Sequence, residues 1–194
     1  MADRIKILPG SSDKRLHFLN VCVIVYLPPR SKCEVWKMDI EICKATPEDI
    51  EIACRIAIEV WTPIRAVFRK ELGDELYEAY YTGWEESKRN GVSRAIMENR
   101  CFVSKINGTV AGFISYAVQG DKGTIGLNAV DPQYRGNGIG VKQYEFIMER
   151  MRQEGAKYVC VHTGGDDGHA PARRAYEKAG FEAFLPTRTY YKKL

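Results

Sequence analysis

No stretch of the chain is long and apolar enough to cross a bilayer. The longest candidate, residues 18–27, covers ten positions and is broken by Asn20, about half the 20 that a membrane helix needs. No membrane partner is expected. Lys14 and Arg15 precede this run as they would in a secretory leader, but Pro28-Pro29-Arg30-Ser31-Lys32 stands where a small-residue cleavage site belongs, so export is not expected either. Histidine is scarce, with three in all, and none stands at ligand spacing from the six cysteines (22, 33, 43, 54, 101 and 160), which form no C-x-x-C pair. Neither a metal centre nor a disulfide framework is expected, and reduced thiols suit a cytoplasmic protein. Charge of one sign is also lacking: 29 Lys plus Arg against 25 Asp plus Glu leave +4. Nucleic acid is not an expected partner without a basic stripe, although this mild excess favours phosphorylated small molecules.

What is present is a globular composition: 194 residues, 45% hydrophobic and 28% charged. That suits one domain of roughly 150 residues with an appendage. The pattern changes at Met38. Residues 1–37 hold turn residues around one strand-like run, 21–27, and no amphipathic helix. They read as an accessory extension, or as upstream sequence joined by an early start codon, with the domain itself at 38–194.

From Met38 onward the periodicities are regular. Ile40 and Ile42 alternate with polar neighbours as in a half-buried strand. Thr46-Pro47-Glu48-Asp49 reads as a helix start, with a hydroxyl N-cap, Pro at the first helical position and acids at the positive end of the dipole. Ile50, Ala53, Cys54 and Ala57 continue it, a break is expected at Thr62-Pro63, and a second helical stretch follows. Leu76, Tyr77, Tyr80, Tyr81 and Trp84 form an aromatic stripe that reads either as core packing or as the wall of an acceptor pocket. Residues 101–106, 109–118 and 124–130 are expected as three successive antiparallel strands, with Asn107-Gly108 as a hairpin turn. A helix over 138–154, a strand over 158–163 and a short helix over 170–179 ended by Gly180 come next. Residues 181–185 and 189–193 can supply two last strands. The fold class is mixed α/β of the α+β type, with a largely antiparallel sheet flanked by helices.

The chemistry concentrates in Val130-Asp131-Pro132-Gln133-Tyr134-Arg135-Gly136-Asn137-Gly138-Ile139-Gly140. A strand ends, the chain turns, and three alternating glycines lead into a helix. Glycines let a backbone approach a ligand closely and turn its N–H groups inward. The helix N-terminus adds unpaired donors and partial positive charge, which suits a pyrophosphate, and Arg135 can add a charge-assisted contact. The glycine spacing does not fit the dinucleotide fingerprint, and no Gly-Lys-Ser/Thr is present for a triphosphate loop. A purely structural turn is the bland alternative.

Gln133-x-x-Gly136-x-Gly138 after Val-Asp-Pro, followed about 40 residues later by Ala175-Tyr176-Glu177-Lys178-Ala179-Gly180-Phe181, resembles the GNAT superfamily of acetyl-CoA-dependent N-acetyltransferases. The resemblance runs over about 155 residues, 38–194. It implies a sheet split between two central strands, with acetyl-CoA in the gap as co-substrate and no metal. The pantetheine arm would bond the backbone of Asn128, Ala129 and Val130. The pyrophosphate would rest on Arg135, Gly136, Asn137, Gly138, Ile139 and Gly140. The acetyl oxygen would face backbone N–H near Val130. Tyr176 matches the family tyrosine that protonates the leaving thiolate. His169 stands where many members carry an Asn that touches the cofactor.

A general base must also accept a proton from the amine. Residues 124–130 hold no acid, whereas strand alternation places His162, a residue type suited to proton transfer near neutral pH, at the end of the split. A His bonded to a loop carbonyl is the bland alternative. Asp166 and Asp167 read either as a turn or as a holder for a cationic amine, and they lean the acceptor toward a cation. The resemblance thus implies acetyl transfer to a small-molecule amine or a protein amino group by direct attack in a ternary complex. A non-catalytic acyl-CoA-binding sensor or scaffold is the alternative, and the family leaves room for a homodimer.

Overall fold

The computed structural model describes residues 39–194, so the strand-like run at 21–27 lies outside the described residues. Strand β1, Ile40–Lys44, leads into a 3-10 turn, Pro47–Asp49. Thr46 is the N-cap of this turn, with Pro47 first and Glu48 and Asp49 in the first turn, as the sequence leads one to expect. The Thr46 hydroxyl donates to the Asp49 carboxylate (3.1 Å), as does the Thr46 N–H (2.9 Å). Lys105 lies 3.4 Å from the same carboxyl group, so the buried charge is paired.

Helical segment α1, Ile50–Tyr81, runs straight through Pro63, so the break expected at Thr62-Pro63 is absent. Pro63 is exposed, which leaves the carbonyl it cannot bond open to water, and Thr62 Oγ1 donates to the Ile58 carbonyl one turn back (2.8 Å). The interruption falls at Gly73, where φ is +75°. Arg69 spans it by bonding Asp74 (2.7 Å) and Glu78. Gly83, also left-handed (φ +76°), separates α1 from α2, Trp84–Met97.

Strands β2 (Cys101–Ile106), β3 (Thr109–Gln119), β4 (Lys122–Val130) and β5 (Tyr158–Val161) complete the sheet. The order is β1-β2-β3-β4-β5, antiparallel in the first three pairs and parallel between β4 and β5. Helix α3, Ile139–Gln153, is the crossover between those last two, and α4, Ala170–Lys178, follows β5. One face of the sheet packs Val103, Phe113 and Ala129 against Ala53, Ile56, Ala57, Val92 and Ile96 of α1 and α2. The other packs Ile114, Tyr116 and Ile125 against Tyr144, Ile147, Met151 and Tyr176 of α3 and α4. Each fully buried side chain of the Val, Ile or Phe type contributes about 1.5–3 kcal/mol. Buried Gln143 donates to Ser104 Oγ (3.0 Å), which fixes α3 on β2.

The two final strands are not formed: residues 179–194 have no strand. Phe184 and Leu185 are consecutive, so a strand would turn them to opposite faces, and both are exposed. The tail is held by side chains instead. Tyr191 bonds Tyr81 hydroxyl to hydroxyl (2.5 Å), its ring meets Tyr80, and Lys193 pairs with Glu75. Among the described residues β5 is therefore an edge strand, and the split lies between β4 and this edge.

Candidate active site

The split follows from pairing and from one bulge. Strand β5 pairs with β4 only from Lys122↔Tyr158 to Ile125↔Val161, leaving Gly126 to Val130 without a partner on that side. On the other side, Tyr116 faces Ile125 but Ile114 faces Asn128. Two residues of β3 thus span three of β4, a bulge that bends β4 where β5 departs. Gly126 is required at this bend, because a Cβ there would sit 2.7 Å from Ser115 Oγ. The Ser115 hydroxyl in turn donates to the Leu127 carbonyl (3.0 Å).

Beyond the bulge, the Asp131 N–H donates to the Ala111 carbonyl on β3 (2.9 Å). Antiparallel alternation then turns the backbone of Ala129 toward β3, and that of Asn128 and Val130 into the gap. The Ala129 carbonyl does lie against Gly112 of β3. Of the three residues expected to offer backbone bonds to a cofactor, Asn128 and Val130 are free to do so and Ala129 is not.

Three polar side chains meet at this gap. Tyr144 OH donates to Asn128 Oδ1 (2.9 Å), and Asn128 Nδ2 reaches Tyr176 OH at 3.5 Å and the Gly126 carbonyl at 3.0 Å. The two phenol rings lie 4.8 Å apart between α3 and α4. Burial, then the neighbouring Tyr176, push the Tyr144 phenol far above its ordinary value, so it stays protonated as a donor. Tyr176 is 7% exposed. Its oxygen accepts from Asn128, which leaves its own proton for another acceptor.

The glycine loop follows directly. Asp131, 1% exposed, accepts from the Gln133 N–H (2.9 Å) and pairs with Arg55 of α1 (2.8 Å), so the turn is tied to the helical layer. Gly136 and Gly138 have φ of +83° and +74°, and a Cβ on either would meet no protein atom within 4 Å. Asn137 Nδ2 donates to the Tyr134 carbonyl (3.0 Å), a loop-holding role. The first bond of α3 is Lys142 N–H to the Gly138 carbonyl, so the N–H groups of Ile139, Gly140 and Val141 have no intrahelical acceptor. Arg135 is exposed beside them.

The remaining expected residues are less concentrated. His169 is half-buried at the start of α4, with Nδ1 2.6 Å from Asp166 Oδ2. Asp166 also accepts from the His169 N–H. Partial burial raises the Asp166 carboxyl, but the His169 contact outweighs it and holds the group below its ordinary value. The Asp166 carboxylate is thus engaged in the turn before α4. His162 is exposed, one residue past the end of β5. Among the described cysteines, burial pushes Cys101 up to about 12, and exposed Cys160 lies 3.5 Å from Thr124 Oγ1. Among the described residues, no group of three His, Cys, Asp or Glu is disposed to hold a metal, and no helix is long and apolar enough to cross a membrane.

Sequence reasoning named the aromatic stripe as a candidate pocket wall but missed the cations beside it, in a cavity on the α1/α2 face of β4. Its volume is about 380 Å³, and Arg65, Tyr81, Trp84, Lys88 and Leu127 are among its lining residues. The Arg65 guanidinium lies over the rings of Phe68, Tyr81 and Trp84 at 5.2, 4.7 and 5.5 Å, and Lys88 Nζ lies 4.0 Å over Trp61. Gly91 lets α2 reach β4, since a Cβ there would touch Leu127 at 3.0 Å. Of the aromatic stripe, Tyr77 is buried in the core, whereas Tyr80, Tyr81 and Trp84 line this cavity.

The same fold is found in solved acetyltransferases. PaiA N-acetyltransferase from Thermoplasma acidophilum, solved with coenzyme A, superposes with a TM-score of 0.57 at 21% identity, over 75% of this chain and 91% of that one. An aminoglycoside N-acetyltransferase in complex with CoA superposes with a TM-score of 0.57 at 13% identity, over 87% of this chain and all of that one. The model of the acetyltransferase (GNAT) family matches residues 66–181, more than half of the chain. The chain belongs to that family. Mycothiol acetyltransferase of Rothia mucilaginosa (strain DY-18) is 30% identical over 121 residues, which are 57% of this chain and 33% of that protein. This chain thus spans about a third of that curated relative.

Proposed function

We propose that the protein transfers an acetyl group from acetyl-CoA to a primary amine by direct attack in a ternary complex. The observation that carries this reading is the unpaired stretch of β4 ending at Val130, with Tyr176 reached through Asn128 and the glycine loop one turn away. A pantetheine amide chain is chemically an extended strand, and the backbone of Asn128 and Val130 offers it an edge. Gly136, Gly138 and the unpaired N–H groups of Ile139 and Gly140 receive the pyrophosphate, with Arg135 beside it. His169, with Nδ1 held by Asp166, presents its other ring nitrogen to the same ligand.

In the reaction the amine nitrogen attacks the acetyl carbonyl carbon, a C–N bond forms, and backbone N–H near Val130 steadies the oxyanion. The C–S bond then breaks, and Tyr176 gives its proton to the departing thiolate. His162, directly or through water, takes the proton that the amine loses. The buried Cys101 thiol, held protonated, offers no covalent alternative. The absence of paired cysteine motifs supports a cytoplasmic enzyme.

Tyr176→Phe tests this reading. It should lower kcat about 10²-fold or more and leave the acetyl-CoA Kd nearly unchanged. Equal turnover would reduce Tyr176 to a packing residue.

A further inference from the structure

The cavity between the α1–α2 turn and β4 holds two cations and no anion. Arg65 and Lys88 both line it, and none of its ten lining residues is acidic. Elsewhere Arg55, Arg69, Arg150 and Arg152 each sit on a carboxylate. Arg65 makes no ion pair among the described residues, and its buried Nε has no hydrogen-bond partner. Aromatic rings cover the guanidinium, but stacking satisfies its face and leaves its in-plane N–H donors unspent. A buried donor without an acceptor costs roughly 1–3 kcal/mol, so the arrangement is one an incoming oxyanion would complete.

We propose that the acceptor amine carries a carboxylate or phosphate group, and that Arg65 and Lys88 hold that group in this cavity. The proposal deepens the acetyl-transfer reading and rests on it. Leu127 belongs to the cavity wall and precedes Asn128, which faces the gap in β4. A molecule anchored by its anionic end can therefore reach past Leu127 toward the gap with its amine. Burial and the charge of Arg65 both weigh against the protonated form of Lys88, and an oxyanion between the two cations would oppose them by its charge. Of the two carboxylates that leaned the acceptor toward a cation, Asp166 is engaged by His169 and Asp167 stays exposed.

Three probes of matched size test the proposal on the full chain: 3-phenylpropionate, 2-phenylethyl phosphate and neutral 3-phenylpropionamide. Trp84 lines the cavity and Trp61 lies under Lys88, so tryptophan fluorescence reports occupancy without turnover. At least one anion should bind tenfold or more tightly than the amide, and the comparison shows which oxyanion is preferred. Arg65→Gln and Lys88→Met should each erase most of that preference and leave the acetyl-CoA Kd unchanged. Equal affinity for anions and amide, or no binding of any probe, overturns the proposal. If a variant does not fold, the wild-type comparison decides alone. Failure to bind acetyl-CoA in a parallel titration would instead remove the acetyl-transfer reading, so the two failures are distinct.

Discussion

Replacing Lys88 by Met should change stability in a way that depends on pH. Burial first, then the charge of Arg65, lower the Lys88 pKa from 10.5 to about 8. At about 1.4 kcal/mol per pH unit, the bare linkage is about 3 kcal/mol. Lys88 is only half-buried, so solvent screening reduces this to about 1–2 kcal/mol. The sign follows from proton counting. Below pH 8 both folded and unfolded states carry the charge, and the folded state bears the full penalty. Between pH 8 and 10.5 the unfolded state holds more protons, so the wild type gains stability as pH rises. Above 10.5 the penalty is gone. Methionine keeps the apolar stem on Trp61 but forfeits a cation–π contact of about 0.5–1 kcal/mol. The variant should therefore be as stable as the wild type, or slightly more so, at pH 7.5, and lose that advantage by about 1–2 kcal/mol at pH 10.5. Urea unfolding of both proteins at pH 7.5, 9 and 10.5 measures the difference. Titration of the buried tyrosines, common to both, cancels. A difference that stays flat with pH would refute the assigned environment of Lys88.

Two further outcomes follow from the gap and the loop. Gly136→Val or Gly138→Val places a β-branched residue at a left-handed φ, where no protein atom obstructs it. The loss should appear as at least a tenfold rise in acetyl-CoA Kd, about 1.4 kcal/mol, by calorimetry, and unchanged affinity in a folded variant would remove the loop from the binding site. His162→Ala should abolish the acidic limb of the pH–rate profile. If the wild-type profile persists, the proton leaves by another route.

The parts of the molecule readable from sequence are those set by local rules. Asn107-Gly108 and the alternation around it announce β2 and β3, and the glycine loop announces the start of α3, because turn chemistry and positive φ belong to single residues. Pro63 misled because its effect depends on exposure and on Thr62 taking a carbonyl, neither of which periodicity records. The tail misled for a similar reason: residues 189–193 are rich in strand formers, yet Tyr191 binds side chains of α1 rather than a sheet edge and Tyr190 is exposed. Tyr176 was legible through a motif, whereas the Asn128–Tyr144 contact that frames it was not, since it joins β4 to α3 across the fold. Arg65 and Lys88 were invisible for the same reason. They sit on different helices, and only the turn at Gly83 brings them into one cavity.

The proposed reaction gives the acetyl group of acetyl-CoA, bound at the β4 gap, to an amine. Free thiol released from acetyl-CoA, followed alongside mass detection of the acetylated amine over a panel of amines with and without an anionic group, tests it most directly. Thiol release should depend on the amine, equal the acetylated product, and be fastest for the anionic members. Tight acetyl-CoA binding with no amine-dependent release across the panel would contradict the proposed reaction, and would make this protein a binding module instead of a transferase.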